Sequence, residues 1–371
     1  MANTKLHPNL SMQKWINKFV FDYVSGSGFK KYMGTDESSI IRVINELKNG
    51  GEVVNIPLAG QLRGAGVTGD STLVGNEEAM GLYTDQVRVS LFRNAVAFTD
   101  AQTFKTELDL FNAARKRLKD WSANKLRNDI VSALGSVIIK GTADSDGFTL
   151  DSAVDYASAT ATQRNNFLVN NTDRIIMGVN SGTNKTSGVM ATALATLASP
   201  TDKITAAMLS RAKRAALKTG ATSGTSITPY QSDDDSGENW FVYFAPSEQF
   251  RDLLTDTAIL EAYRHAAEKG KNNRLFTSGD IIFEGIIVKE VPQISVLTGA
   301  GNSCDVAVGY LCGQSAISVA YGQDPTPVSD VTDYGYKKGC GIKEIRGVKK
   351  TSFNGTQYGV VSVYSASVAD A

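Results

Sequence analysis

The stretch from Asp100 to Gly135 constrains this chain most, because it reads as one very long amphipathic helix. Its apolar residues recur at steps of mostly three or four, which places them on one helix face; they are Phe104, Leu108, Phe111, Leu118, Trp121, Leu126, Ile130 and Leu134. We predict that Asp100 caps the start and that the helix stops at Gly135. The rod would be about 50 Å long. A helix of this length with one narrow apolar stripe is predicted to pack lengthwise across another part of the structure.

The other faces of this predicted helix are rich in basic residues. The densest cluster consists of Arg115, Lys116, Arg117 and Lys119. One interpretation is a solvated helix face. The other is a surface for an acidic partner subunit or for DNA, because phosphates attract cations without regard to base sequence.

Composition excludes several classes of protein. The 371 residues suffice for a large core and two or three lobes. The 38 basic and 38 acidic residues balance, so no overall positive charge marks a dedicated nucleic-acid binder. The N-terminus lacks the order of a signal peptide and no run of about 18 apolar residues occurs, which predicts no membrane span. The three cysteines are too few and too scattered for a disulfide framework, which predicts a reducing compartment.

Residues 52–99 are predicted to form two long strands joined by a loop. The outbound strand covers 52–58, and in the return strand, 83–91, Val87, Val89 and Leu91 alternate with polar residues. The connection, 59–81, is rich in glycine. A loop of some twenty residues without a core of its own is uncommon inside a compact domain. It is therefore either a disordered lid or a segment that a neighbouring molecule orders.

The rest of the chain reads as a mixture of short helices and strands. Residues 1–51 are predicted to be an N-terminal arm, with a brief helix at 38–47. We predict a strand at 294–297. A strand pair between 341 and 363 is predicted to turn at Asn354-Gly355, which is a strong hairpin signal.

The inventory for chemistry is poor. Residues 178–186 follow a strand, but their glycine and lysine spacing does not fit a phosphate-binding loop. The acidic run 233–235 lacks the spacing of a calcium site, and Cys304 and Cys312 lack the partners of a zinc site. Glu77 and Glu78 favour a salt-bridge role in the loop over acid–base chemistry. The sequence thus predicts no enzyme, no metal and no cofactor.

The order of these elements resembles the major capsid proteins of tailed phages, which have the α+β HK97-like fold, and more narrowly the capsid proteins of N-four-like phages. The likeness covers most of the chain. The stretches that carry it are Gly75-Asn76-Glu77-Glu78, residues 111–121, residues 311–316, Asp333-Tyr334-Gly335 and residues 347–355.

The resemblance implies a division of the chain. Residues 1–51 would be the arm, 52–99 an extended loop over a neighbouring subunit, and 100–164 a peripheral domain containing the spine helix 100–135. Residues 165–320 would be the axial domain, and 321–371 would return to the peripheral domain. No lysine lies between Lys48 and Lys105, so we predict no covalent lysine cross-link from this loop.

The resemblance also implies site residues. Subunit contacts of the extended loop would use Arg63, Val67, Leu73, Val74, Glu77, Glu78 and Leu82. Phe104, Leu108, Phe111, Leu118 and Trp121 would form the core under the spine helix, and the basic cluster would face DNA or another subunit.

The implied partners are copies of the chain itself, as pentamers and hexamers, with a scaffolding protein, a portal protein, a decoration protein and non-specifically contacted double-stranded DNA. No membrane is implied. The protein would reside in the virion after assembly in the host cytoplasm. Two alternatives remain at this point: an encapsulin-type shell that houses cargo enzymes, and a cytosolic enzyme with a long lid.

Overall fold

The computed structural model describes residues 28–368 except 61, 63, 65, 71, 79, 107–108, 144–148, 221, 223, 234–237 and 266–280. The described residues fall into two compact units. The smaller unit contains Leu91–Leu126 and Asp324–Glu344, and the larger contains Gly28–Ser90, Arg127–Gln323 and the chain from Ile345 onward. This division runs through the predicted spine helix, while the domain boundaries implied by the resemblance stay a prediction.

The described residues contain eight α-helices and eighteen strands. The helices are α1 Asp100–Phe104, α2 Leu110–Gly135, α3 Ala161–Asn170, α4 Ser181–Asn184, α5 Met190–Ala195, α6 Ala206–Leu217, α7 Ser247–Thr255 and α8 Thr257–His265. The strands are β1 Met33–Gly34, β2 Ile41–Ile44, β3 Val53–Ala59, β4 Leu82–Arg88, β5 Ser90–Thr99, β6 Val137–Ile139, β7 Ser152–Val154, β8 Ile175–Met177, β9 Gln231–Asp233, β10 Glu238–Ala245, β11 Ile281–Phe283, β12 Ile286–Glu290, β13 Asp305–Cys312, β14 Ile317–Thr332, β15 Lys337–Lys350, β16 Ser352–Phe353, β17 Thr356–Gln357 and β18 Val360–Ser367.

A mixed sheet forms the centre of the larger unit. Its strands lie in the order β11-β12-β10-β13-β18-β8, and β9 pairs with β10. β18 is buried along its whole length, and Phe241 to Ala245 of β10 are buried as well, as expected of strands covered on both faces. Helices α6, α7 and α8 contribute Leu209, Leu253 and Ile259 to the core beside this sheet. The sheet and helices together give the α+β class that the sequence predicted.

The predicted loop of residues 52–99 begins with a two-stranded hairpin, β3–β4. The strands pair antiparallel from Val53 opposite Arg88 to Ala59 opposite Leu82. We call β3, β4 and their connection, residues 53–88, the extended hairpin. β3 ends at Ala59 and β4 begins at Leu82, so the predicted loop 59–81 is confirmed to within one residue. The predicted return strand 83–91 is wrong at its end: β4 stops at Arg88, and after Val89 the chain continues as β5, which belongs to a different sheet and leaves Leu91 exposed.

The smaller unit is a sheet with a helix packed on it. β14, β15 and β5 are neighbouring strands in that order. Ala114 and Leu118 of α2 form a buried cluster with Cys340 and Ile342 of β15. Phe98, Phe111 and Trp121 pack against this cluster while staying partly exposed.

The predicted single helix of residues 100–135 is wrong in its first third. The chain forms the short helix α1, leaves the helical conformation after Phe104, and starts α2 at Leu110. Asp100 does not cap α1, because Thr99 and Gln102 form a capping box there. Asp109 accepts a hydrogen bond from the Asn112 amide at 3.0 Å, in the manner of a cap for α2. The predicted end at Gly135 is confirmed.

Three further predictions need correction. Residues 41–44 of the predicted helix 38–47 form a strand, β2, which pairs parallel with β14. Residues 294–297 make a single bridge, Leu297 to Val306, in place of a strand. The turn at Asn354-Gly355 is present, with φ of 54° and 82°, but its strands β16 and β17 are only two residues long. The residues after this turn pair with strands farther away in the sequence, since β18 pairs with β13 and β8.

Candidate assembly surfaces

The root of the extended hairpin is packed into the larger unit. We define the root as Val54 and Ile56 of β3 and Asp85, Val87 and Val89 on the return strand. The apolar members of the root form a buried cluster with Ile44, Leu47, Ala320 and Phe353. Alternation along each strand directs these side chains to one face. The root therefore has a core, as an ordinary sheet does.

A buried ion pair fixes the same root. Lys349 of β15 donates to the carboxylate of Asp85, which is fully buried, and donates at 2.8 Å to the main-chain oxygen of Asp151. Asp85 also accepts the Ser352 amide at 3.1 Å and the Gln86 amide at 2.9 Å. Burial raises the pKa of Asp85 above its usual value, and the charge of Lys349 opposes that rise. The carboxylate thus ties β4 to β15 and to the chain just after it.

The tip of the extended hairpin, residues 60–81, is exposed almost throughout. Leu73 is 62% exposed and Val74 is 84% exposed, and Leu82 beside the tip is also exposed. Val67 is half-buried. Arg63 lies outside the described residues, so its predicted contact stays a prediction. The apolar side chains of the tip have little to pack against within their own subunit.

Hydrogen bonds to two carboxylates shape the tip. Glu78 accepts the Gly64 amide at 2.5 Å, and Glu77 accepts the Gly75 amide at 2.7 Å. The Gly60 amide donates to the Gly81 carbonyl at 2.7 Å, which closes the neck of the loop. The salt-bridge role that the sequence predicted for these glutamates stays a prediction. Their hydrogen bonds to backbone N–H groups hold the shape of the tip but give it no apolar core.

The residues predicted to lie under the spine helix do not share one environment. Leu118 is buried, and Phe111 and Trp121 pack around it. Phe104 is 92% exposed at the end of α1, so its placement in this core is wrong. Because the helix is interrupted between α1 and α2, Phe104 is no longer in line with the apolar residues of α2. Leu108 lies outside the described residues.

The basic cluster lies on the exposed side of α2. Arg115, Lys116 and Lys119 are exposed, and Arg117 is half-buried with an ion pair to Asp120 at 3.9 Å. The guanidinium of Arg115 lies 5.5 Å from the centre of the Phe111 ring. The cluster therefore presents positive charge to its surroundings, and its role stays a prediction.

Sequence reasoning missed Lys350, which is buried in the larger unit. Its Nζ donates to the carbonyls of Leu134 and Ser136 at 3.1 and 2.7 Å, at the end of α2. The Phe167 ring centre lies 5.2 Å away. Burial lowers the pKa of Lys350 to about 7. The signal in the sequence is the pair Lys349-Lys350 inside a strand, because neighbouring strand residues face opposite ways and one of them has to point inward.

The described part of the chain offers little for catalysis or metal binding. Among these residues, no group of three or more His, Cys, Asp or Glu side chains is arranged to hold a metal ion. Cys312 and Cys340 are buried thiols and Cys304 is half-buried. The side chain of His265 lies outside the described residues. None of the described helices is long and apolar enough to cross a membrane.

A hairpin with a packed root and an exposed apolar tip is typical of a subunit that assembles with copies of itself. Comparison with known proteins identifies the kind of assembly. The family described as "Phage capsid protein" matches residues 3–369. The major capsid protein of Pseudomonas phage KPP25 is 24% identical over 361 residues, which are 90% of this chain and 89% of that protein.

Solved structures agree with this family. A chain of the cyanophage Pam1 capsid asymmetric unit has a TM-score of 0.90 and 38% identity, with 100% of both chains covered. A chain of the Ralstonia phage GP4 capsid has a TM-score of 0.73 and 23% identity, again with 100% of both covered, and at that identity it shows the fold alone. The chain belongs to the phage capsid protein family and has the HK97-like fold. It is a major capsid protein, a structural subunit of a phage head shell in the virion. The narrower likeness to N-four-like phages stays a prediction.

Proposed function

We propose that this protein builds an icosahedral shell of pentamers and hexamers around the double-stranded DNA of a tailed phage. The observation that carries the proposal is the tip of the extended hairpin. Residues 60–81 expose Leu73 and Val74 while their root is buried. Two paired strands without a packed face are only marginally stable alone. Packing against a neighbouring copy gives the tip the apolar contacts that its own subunit does not supply.

The contacts of the tip explain how a strong shell can arise from modest interfaces. Val67, Leu73, Val74 and Leu82 would pack on the neighbour, and Arg63, Glu77 and Glu78 would add polar contacts. The buried area summed over all neighbours would exceed about 2,000 Å², the range of obligate assemblies. Many weak contacts for each subunit then hold the particle together through avidity.

Partners beyond the shell itself follow from the same proposal. A scaffolding protein would guide assembly in the host cytoplasm, a portal protein would occupy one vertex, and a decoration protein would bind outside. The exposed Arg115, Lys116 and Lys119 would face the packaged DNA or an acidic surface of another subunit. The protein would need no cofactor and catalyse no reaction.

The test is assembly of the purified full-length chain, alone and with its scaffolding protein, measured by light scattering and negative-stain electron microscopy. We expect capsid-like particles from the wild type and a large loss of particles from the double variant Leu73→Ser, Val74→Ser. Val169→Ser is the matched control, because it removes an exposed apolar side chain from α3, outside the hairpin. A wild type that stays monomeric at high concentration contradicts the proposal.

The contents of the particles test the second half of the proposal. DNA inside particles purified from infected cells supports a genome shell, and enclosed enzymes in place of DNA support an encapsulin-type container. Replacing Arg115, Lys116 and Lys119 together with glutamine is expected to lower DNA retention or assembly, with the largest difference from the wild type at low salt, because a variant with fewer cations depends less steeply on salt. Unchanged infectious particles would show that this cluster is a solvated helix face.

A further inference from the structure

A cavity of about 340 Å³ lies within the larger unit, where the end of α2 meets one face of the central sheet. It is enclosed by the last two turns of α2, the loop after β7, the segment between β12 and β13, and the strands β13 and β18. This volume is at the lower end of the range for ligand sites in proteins, roughly 300–1,000 Å³. The cavity therefore suits a small molecule. We call it the tyrosine cavity after three of its lining residues, Tyr156, Tyr310 and Tyr364.

Two of these tyrosines are buried on the sheet side of the tyrosine cavity. Val308 of β13 lies opposite Tyr364 of β18, and Tyr310 is two residues further along β13, so these side chains leave the same face of the sheet. Tyr310 and Tyr364 are only 6% and 4% exposed. Neither hydroxyl bonds to another residue in the part of the chain that the structure describes. Because buried hydroxyls normally have a partner, the two tyrosines indicate that the cavity has an occupant.

The end of α2 leaves room for one of these hydroxyls. One face of α2 lines the cavity with Asn128, Val131, Ser132 and Gly135, which recur at helical spacing. A Cβ atom at Gly135 would lie 3.3 Å from the hydroxyl oxygen of Tyr310, which is a tight contact. The glycine that ends the helix therefore also keeps space around this hydroxyl.

The loop after β7 is held in place without a ligand. The Asp155 carbonyl accepts the amides of Ser158 and Ala159, both at 3.0 Å. Arg164 of α3 donates to the Tyr156 carbonyl at 3.1 Å, and its guanidinium lies 4.6 Å from the centre of the Tyr156 ring. A site that is already formed loses less conformational entropy when a ligand binds.

The charge of the wall selects the charge of the occupant. Among the described residues that line the cavity, Asp155 alone carries a charge, and its carboxylate forms no ion pair with another described residue. Burial raises the pKa of the Tyr310 phenol, and the nearby charge of Asp155 raises it further. The phenol thus stays neutral and keeps an oxygen that accepts hydrogen bonds. A carboxylate repels an anion, whereas an ammonium group is attracted by the carboxylate, the phenol oxygens and the aromatic rings.

We propose that the tyrosine cavity binds a small aliphatic amine in its ammonium form. The nitrogen lies between the carboxylate of Asp155 and the hydroxyls of Tyr310 and Tyr364. The alkyl chain packs against Val131 and Ile294, which line the same cavity, and gains free energy from the burial of its apolar surface. Because the whole site lies within one subunit, the proposal does not depend on the shell-building function.

The test is binding of butane-1,4-diamine to the unassembled full-length chain. Isothermal titration calorimetry at neutral pH measures the affinity, and a ligand of the folded state also raises the melting temperature. The wild type is expected to bind the diamine about tenfold more tightly, or better, than butane-1,4-diol, which has the same carbon chain and no charge. Succinate, the matched dianion, should not bind. Equal binding of the diol would overturn the proposal, and so would absence of diamine binding, the result expected of a cavity that holds only water.

Two variants place the amine in the tyrosine cavity. Asp155→Asn should lower the affinity for the diamine about tenfold or more, and Tyr364→Phe, which keeps the ring, about threefold to tenfold. Asp36→Asn is the matched control, because it neutralises an exposed carboxylate elsewhere in the larger unit, and it should bind as the wild type does. Asp155 is exposed, so its replacement should leave the melting temperature of the free subunit unchanged. Unchanged affinity in Asp155→Asn and Tyr364→Phe would show that the diamine binds elsewhere and would overturn the proposal.

Discussion

The two ends of the extended hairpin share the same pair of strands and differ in almost everything else. At the root, Ile56 and Val87 are buried in a cluster and Asp85 is held by Lys349. At the tip, Leu73 and Val74 are exposed, and the carboxylates of Glu77 and Glu78 bond to backbone amides. The comparison indicates that the packing and the ion pair that stabilise the hairpin within the subunit lie at the root, while the tip carries the contacts with other copies that we propose. Four experiments test this separation.

The largest expected effect comes from the buried ion pair. Asp85→Asn leaves the largely buried Lys349 without its anion, and breaking such a pair costs about 3–5 kcal/mol. Chemical denaturation of the unassembled subunit measures this loss of unfolding free energy. Glu77→Gln at the tip is the control and should change it by less than about 0.5 kcal/mol. Similar losses for both variants would end the distinction between root and tip.

Apolar truncation compares the two ends directly. Ile56→Ala leaves a cavity at the root and should lower the unfolding free energy by about 2–5 kcal/mol. Leu73→Ala at the tip should leave it within about 0.5 kcal/mol but reduce particle formation. The same denaturation measurement, together with light scattering of assembly mixtures, separates the two outcomes. A destabilised Leu73→Ala subunit would mean that the tip packs on its own chain.

Lys350, the residue after the ion-paired Lys349, makes the stability of the subunit depend on pH. The pKa of Lys350 is about 7 in the folded protein and about 10.4 in an unfolded chain. Between these values the unfolded chain holds a proton on Lys350 that the folded protein lacks, so the contribution of Lys350 to the unfolding free energy rises with pH, by up to about 1.4 kcal/mol per pH unit. Lys350→Met should make the slope of unfolding free energy against pH less positive than in the wild type by this contribution, whereas replacing the exposed Lys218 by methionine should leave the slope unchanged. Denaturation curves from pH 7 to 10 provide the measurement, and identical slopes for the wild type and Lys350→Met would refute the assignment.

The smallest effect is expected for the hydrogen bond that folds the tip. Glu78→Gln keeps an acceptor for the Gly64 amide and loses the charge, so the unfolding free energy should change by no more than about 1 kcal/mol. Because the loop would then hold its shape less firmly, assembly should slow more than stability falls. Time-resolved light scattering checks this. A loss of unfolding free energy as large as that of Asp85→Asn would show that Glu78 stabilises the subunit as the residues of the root do.

Much of the organisation was readable from the sequence, since it depends on local patterns. The alternation and the glycine-rich stretch predicted the outbound strand correctly and the loop to within one residue, but the predicted return strand 83–91 is wrong beyond Arg88 because β5 pairs in a different sheet. Glycine also marked the end of α2 at Gly135. The errors arose where a local pattern met a competing partner. The spacing of Phe104 fits the apolar stripe of the predicted helix, yet the helix ends after this residue. Residues 41–44 were predicted to be helical but form a strand that pairs with β14.

Periodicity and glycine placement by themselves determined that this chain has a long helix and a ribbon whose tip lacks a core, because both depend on neighbours within a few residues. The tertiary structure alone decided which polar groups are buried. Asp85, Lys349 and Lys350 look like ordinary polar positions of alternating strands, and their burial follows from contacts between residues more than 200 positions apart. The tyrosine cavity was likewise decided by the fold, because the sequence shows Tyr310 and Tyr364 only as strand residues, and the packing around them leaves a space beside their side chains.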